Sequence, residues 1–301
     1  MRIRKYNSGN KQDSELYQHQ DQKGYITIPI KTAYIKPNEP YDVIIENAED
    51  LLEEGDFLVI SETPISVSQG RLVDESEFQT SLLSFLLADV WSKYLWGYLL
   101  GPIFRIKTRT IHNLRKLPPE ARAHKRMIFE YYGLKHALKP ASEAGVDLSN
   151  VPGTMVSLLP EDPEGVSRDI SHKILRDLKL DVTVMIIDTD ASYEIMGKKF
   201  TSLPIALNGI RSDLGIFGYL LGRFAKLLGP TPLGVSRPQK LENALKIAKI
   251  AEDYHKNNEK DIETVYDMKN IFKGDIKGVT VEMLDSVVHT PAIIVRKLSS
   301  P

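Results

Sequence analysis

Three aspartates and one threonine are the residues of this chain best suited to chemistry. Asp147 lies in the turn Gly145-Val146-Asp147-Leu148-Ser149-Asn150. Asp188, Thr189 and Asp190 follow directly on the apolar run Val182 to Ile187. Carboxylates and hydroxyls on turns are hard ligands, suited to magnesium, manganese or calcium. An ion held in that way can bridge nucleotide phosphates. At an extended strand end, positions two apart share a side. Asp188 and Asp190 are therefore expected to converge, with Thr189 pointing away. If Asp147 reaches them, three carboxylates share one volume and at least one must hold its proton more tightly. The plainer alternative is that Asp190 caps a turn and faces water.

Those residues need a frame. Six apolar or β-branched residues in a row, Val182 to Ile187, read as a strand buried on both faces. Ligands in α/β sheets gather just past the carboxyl ends of such strands. Ser167 to Leu180 carries Ile170, Ile174, Leu175 and Leu178 at helical spacing and leads into that strand. Phe57 to Ile60 is a second buried strand, followed by a loop, Ser61 to Arg71, rich in Ser, Thr, Gln and Gly. Tyr25 to Ile30, Met155 to Leu159 and the segment after Pro291 read as further strands. Leu241, Ala244, Leu245, Ala248 and Ala251 give one more helix its apolar face. The order of helix, buried strand and acidic turn predicts an α/β unit. Residues 1–24 read as a polar tail or peripheral strand, and Asn257 to Asp275 as mostly surface.

Ser81 to Phe104 is the most apolar stretch and approaches the roughly 20 residues of a membrane span. Asp89 and Lys93 interrupt it at i, i+4 spacing, which predicts a pair on one helix face, and Gly101-Pro102 is expected to end the helix. A helix buried in the core or in a dimer interface is the expectation. The basic segment after it (Arg105, Lys107, Arg109, Arg115, Lys116) leaves membrane-surface contact by residues 81–116 as the alternative.

Composition excludes more than it identifies. The 39 basic and 40 acidic residues leave a net charge of -1, so no global charge argument favours nucleic acid or membrane. Without cysteine there is no disulfide, thiolate nucleophile or cysteine metal site. The seven histidines lack zinc-ligand spacing, and His136 and His289 read as structural. Walker A loops, dinucleotide-binding glycine fingerprints and nucleophile elbows are absent from the sequence. The amino-terminal residues lack the apolar core of a signal peptide, and a cytoplasmic location is the expectation.

Four segments, in order, resemble one family. EEGDFLVISETPISVSQGR (Glu53 to Arg71), AGVDLSN (Ala144 to Asn150), VTVMIIDTDASYEIMG (Val182 to Gly197) and TPAIIVR (Thr290 to Arg296) are similar to segments of the coenzyme F-420-0:L-glutamate (γ-glutamyl) ligases. The resemblance covers residues 25–298 as one domain, with a divergent helical region at 78–139. It implies an α+β, two-lobed fold in an intertwined homodimer. It also implies ligation of a small-molecule acid to glutamate, using GTP and a magnesium or manganese ion. By the same resemblance Asp147, Asp188 and Thr189 fall on metal-site positions, and Glu62, Thr63, Arg71 and Asn150 on nucleotide-contacting ones. Asp190 stands where the family carries a neutral residue.

The chain departs from the family pattern in four places. Val67 replaces a lysine, Ala191-Ser192 a Gly-Arg pair and Tyr34 a turn proline, and acids are missing near Gln239-Lys240. These losses predict weakened GTP binding, and they set a non-catalytic dimeric binding or scaffold protein beside the ligase reading.

Overall fold

A computed structural model of the chain describes residues 19–21, 24–258 and 278–298. Most of the polar 1–24 segment and nearly all of 257–275 lie outside the described residues. The fold is mixed α/β, built on an eight-stranded sheet. Its strands are β1 (His19–Asp21), β2 (Tyr25–Thr32), β3 (Phe57–Ser61), β6 (Thr183–Ile195), β7 (Lys198–Thr201), β8 (Ile210–Arg211), β9 (Lys226–Val235) and β10 (His289–Lys297). The remaining two, β4 (Leu72–Asp74) and β5 (Met155–Ser157), pair antiparallel in a small separate sheet.

The spatial order is β1-β2-β10-β3-β6-β7-β8, and β9 pairs with the other edge of β6. One parallel contact organises the centre: β3 runs beside β6, with Phe57 opposite Thr183 and Ser61 opposite Ile187. Both strands are buried on two faces, which explains their unbroken apolar runs. Leu58, Ile60, Val184 and Ile186 face a core shared with the helices Asp42–Ala48 and Pro163–Leu178. The alternate residues Val59, Met185 and Ile187 pack against the helix Leu241–Asn258 through Ala244, Ile247, Ala248 and Ala251.

Three local expectations need correction. Residues 62–68 form the helix Glu62–Ser68 rather than a loop. Its Thr, Ile, Ser and Val residues have modest helix propensity, but burial of Ile65 and Val67 overrides it. Gly70, at positive φ, then turns the chain.

The apolar stretch is helical from Leu82 to Ile103, and Leu86–Leu100 winds as a π-helix. Gly101-Pro102 sits inside its last turn, where Arg115 Nε donates to the Gly97 carbonyl at 2.7 Å. Asp89 does not pair with Lys93, because each side chain is taken by another partner. Arg122 binds both oxygens of Asp89 at 2.7 and 3.1 Å, and Lys93 Nζ donates to the Leu117 carbonyl at 2.9 Å. Nor is this helix simply core. Leu87, Ser92, Trp96 and Gly97 are buried, while a whole stripe of apolar side chains faces outward. Among the described residues, no helix is long and apolar enough to cross a membrane.

Candidate active site

The parallel register makes the site. β3 and β6 end their pairing at Ser61 opposite Ile187, and the next residue of each segment is a carboxylate: Glu62, the first residue of the helix, and Asp188, inside β6, which continues as strand through Asp190 to Ile195 rather than turning there. Both are buried, at 8% and 3% exposure. Two acids just past the parallel pairing of adjacent strands stand near the position where such sheets hold ligands.

Neither acid is fully satisfied. Thr63 Oγ1 donates to Glu62 Oε1 at 3.0 Å, and the Asp190 amide donates to Asp188 Oδ1 at 2.6 Å. Glu62 Oε2 and Asp188 Oδ2 are buried with no hydrogen-bond partner. Burial, and then the nearby Asp147 charge, push the Glu62 carboxyl up to about 8. Burial and then the Glu62 charge push Asp188 well above the usual carboxylate range. Gly145 closes over Asp188. A Cβ there would lie 2.7 Å from Asp188 Oδ2 and 2.7 Å from the Leu159 side chain, and its φ is +69°.

Asp147 approaches from its turn, held by the Ser149 amide at 2.9 Å and the Ser149 hydroxyl at 2.6 Å. Burial raises its pKa against those two bonds. Glu62, Thr63, Asp147, Asn150 and Thr189 line a cavity of about 460 Å³, together with Tyr34, Val67 and Glu252. Lys107, Arg109, His255, Lys256 and His289 also lie on its wall. Tyr34 donates its hydroxyl to the Asn150 carbonyl at 3.0 Å.

Two expected residues stand elsewhere. Arg71 is off the cavity wall; its Nε donates to the Leu159 carbonyl at 3.3 Å and its guanidinium lies near Glu161. Asp190 does not join a cluster with Asp147 and Asp188. Its carboxylate binds Lys139 Nζ at 2.7 Å, and that lysine side chain is 3% exposed. Thr189, as expected, is on the other side from Asp188, and there it meets the cavity. Among the described residues, no three His, Cys, Asp or Glu side chains form a ready metal-holding group. The donor chemistry nevertheless fits a hard divalent cation: Glu62, with its orphaned oxygen, Asp147 and Thr189 line one cavity, and Asp188, off its wall, keeps a second orphaned oxygen close enough to feel the Glu62 charge.

Sequence reading missed Glu252, Lys139 and the closeness of Gly145. Glu252 had a signal, since it continues the buried series Ala244, Leu245, Ala248 and Ala251, and an acid on an apolar helix face needs a partner. It adds a small part to the rise in Glu62 and pairs with Lys256. Lys139 had none, because nothing local ties it to Asp190, 51 residues away. Lys107 and Arg109 were visible only as part of a basic surface segment.

Comparison with known proteins decides the family. A sequence model described as F-420-0:gamma-glutamyl ligase matches residues 29–283. The chain belongs to the coenzyme F-420-0:gamma-glutamyl ligase family. An uncharacterized protein of Methanocaldococcus jannaschii is 40% identical to it over 284 residues, covering 89% of this chain and 95% of that protein. A coenzyme F-420:L-glutamate ligase of Methanopyrus kandleri is 29% identical over 163 residues, 54% of this chain and 58% of that enzyme. The F-420-0:gamma-glutamyl ligase match begins within β2 and spans β3, β6 and β9, and so includes Glu62, Asp147 and Asp188.

Proposed function

We propose that the protein is a nucleotide- and divalent-metal-dependent ligase that joins a small-molecule carboxylate to the amine of an amino acid, with glutamate as the first amine to test. One observation carries this reading within the family: Glu62 and Asp188, each next after the last parallel pair of β3 and β6, both keep a buried oxygen without a partner among the described residues, and Glu62 lines the cavity. Such oxygens are costly unless something binds them. Glu62, Asp147 and Asp188, with Thr189, would hold a divalent ion, which supplies positive charge against the phosphoryl group in transfer.

The substrate carboxylate attacks the γ-phosphorus of the nucleoside triphosphate and the nucleoside diphosphate leaves. The amine nitrogen then attacks the acyl carbon; phosphate leaves with the bond electrons and the nitrogen loses a proton. The chain's part is to position reactants and bind charge. Lys107, Arg109 and Lys256 on the cavity wall offer cations for phosphate or carboxylate, in place of the absent lysine at Val67. Ala191-Ser192 offers no substitute for the family's arginine: Ser192 is buried against Thr231 at 2.9 Å within the sheet. The acid partner therefore differs from the family's in how it is gripped, and another acceptor than coenzyme F-420-0 fits this reading.

A homodimer is part of the proposal. Met196, Phe217, Phe224 and Leu227 are exposed around the far ends of β6 and β9, an apolar surface suited to a second copy. Light scattering should give twice the chain mass for the wild type and the single-chain mass for Phe224→Glu.

The ligase reading is tested by incubating the protein with manganese, GTP or ATP, glutamate and a set of small acids including coenzyme F-420-0. Mass spectrometry should show an acid heavier by one glutamyl residue, with one nucleoside diphosphate and one phosphate released per product. Nucleoside diphosphate release and amide formation both absent across the set would refute it.

A further inference from the structure

The π-helical stretch carries an outward face that the cavity does not explain. Leu82, Leu86, Val90, Tyr94, Tyr98 and Ile103 recur every four or five residues and all lie exposed, Leu82 at 75% and Ile103 at 62%. Ordinary surface helices turn polar residues outward. This one turns its polar Ser84 and Ser92 inward and its leucines and tyrosines outward. Tyr94 and Tyr98 stack on each other with ring centres 6.3 Å apart, and the Arg115 guanidinium lies 4.7 Å from the Tyr98 ring centre.

Charge identifies the occupant. Residues 81–116 hold six Lys or Arg against the single acid Asp89, a local net charge of +5 in a chain whose total is -1. Asp89 is already bound by Arg122. Lys107 and Arg109 lie on the cavity wall, and Arg105, Arg115 and Lys116 are exposed beside the stripe. An isologous contact with a second copy would bring this cationic face against itself, which costs energy. An apolar and aromatic stripe bordered by cations instead matches the boundary of an anionic bilayer. There, leucine and tyrosine enter the acyl edge and lysine and arginine meet the headgroups.

We propose that the face of the helix Leu82 to Ile103, with Arg105, Arg115 and Lys116, docks the protein reversibly on an anionic membrane surface, lying in the interface without crossing it. The absence of a span-length apolar helix among the described residues agrees with this mode.

The test is flotation of the full chain with vesicles of phosphatidylcholine alone or with one third phosphatidylglycerol, at low and high salt. The wild type should float with the anionic vesicles at low salt and be released at high salt. Leu86→Ser combined with Tyr94→Ser should abolish flotation while the circular dichroism melt stays cooperative. Arg105→Gln combined with Lys116→Gln should weaken partitioning about thirty-fold, from the loss of two surface charges. No flotation of the wild type with anionic vesicles at low salt would overturn the proposal. So would a dimer that the serine pair converts to monomer, because a second copy would then be what covers this face.

Discussion

Glu62 is the residue on which the site turns, and its environment makes a signed prediction. Its carboxyl is pushed from 4.5 up to about 8 by burial first and the Asp147 charge second. In the folded protein it therefore binds a proton more tightly than in the unfolded chain. Its contribution to stability is full below about 4.5 and is lost as pH rises through about 8. In metal-free protein, Glu62→Gln should melt like wild type near pH 5 and at a higher temperature near pH 8. Equal melting at both values would show that the two acids do not crowd. Gly145 gives a second test. Gly145→Ala puts a methyl against Asp188 and Leu159 at a φ that side chains avoid. Denaturant melts should show a loss of roughly 1–3 kcal/mol.

At the level of elements, β10 is tied to the β3 side of the sheet by a buried ion pair. Arg296 on β10 binds Asp56, just before β3, through Nε at 2.9 Å and a terminal nitrogen at 2.8 Å, and it also reaches Glu53 and the Leu51 carbonyl. Asp56 is 1% exposed. Arg296→Met leaves that carboxylate buried without its cation and should cost about 3–5 kcal/mol in urea unfolding. The strands here were legible in sequence because a doubly covered strand must be apolar throughout. Val182 to Ile187 and Phe57 to Ile60 could be little else. The helix Glu62–Ser68 was not legible, since its residues favour loops and only contacts distant in sequence make it helical. The winding of Leu86–Leu100 was equally hidden: hydropathy located the stretch, but the spacing of its buried face depends on a π-helical repeat that composition does not encode.

Across the whole molecule, the site depends on chain crossings that local pattern cannot specify. Asp147, Asp188 and Thr189 could be named from motif and residue type. That Glu62 would sit beside Asp188 follows from the parallel register of β3 and β6, two strands separated by more than a hundred residues. Asp190 was misjudged for the same reason, because Lys139 reaches it from the divergent helical region. That region thus contributes in three places: it engages Asp190, it supplies Lys107 and Arg109 to the cavity wall, and it presents the exposed stripe. The proposed ligase chemistry requires that Glu62, Asp147 and Asp188 bind a divalent cation. Calorimetric titration of manganese into the metal-free full chain tests it most directly. The account predicts one ion per chain in the wild type, and loss of that binding in Asp188→Asn with the fold retained. A wild type that takes up no manganese at millimolar concentration, or an Asp188→Asn protein that binds it equally well, would contradict it.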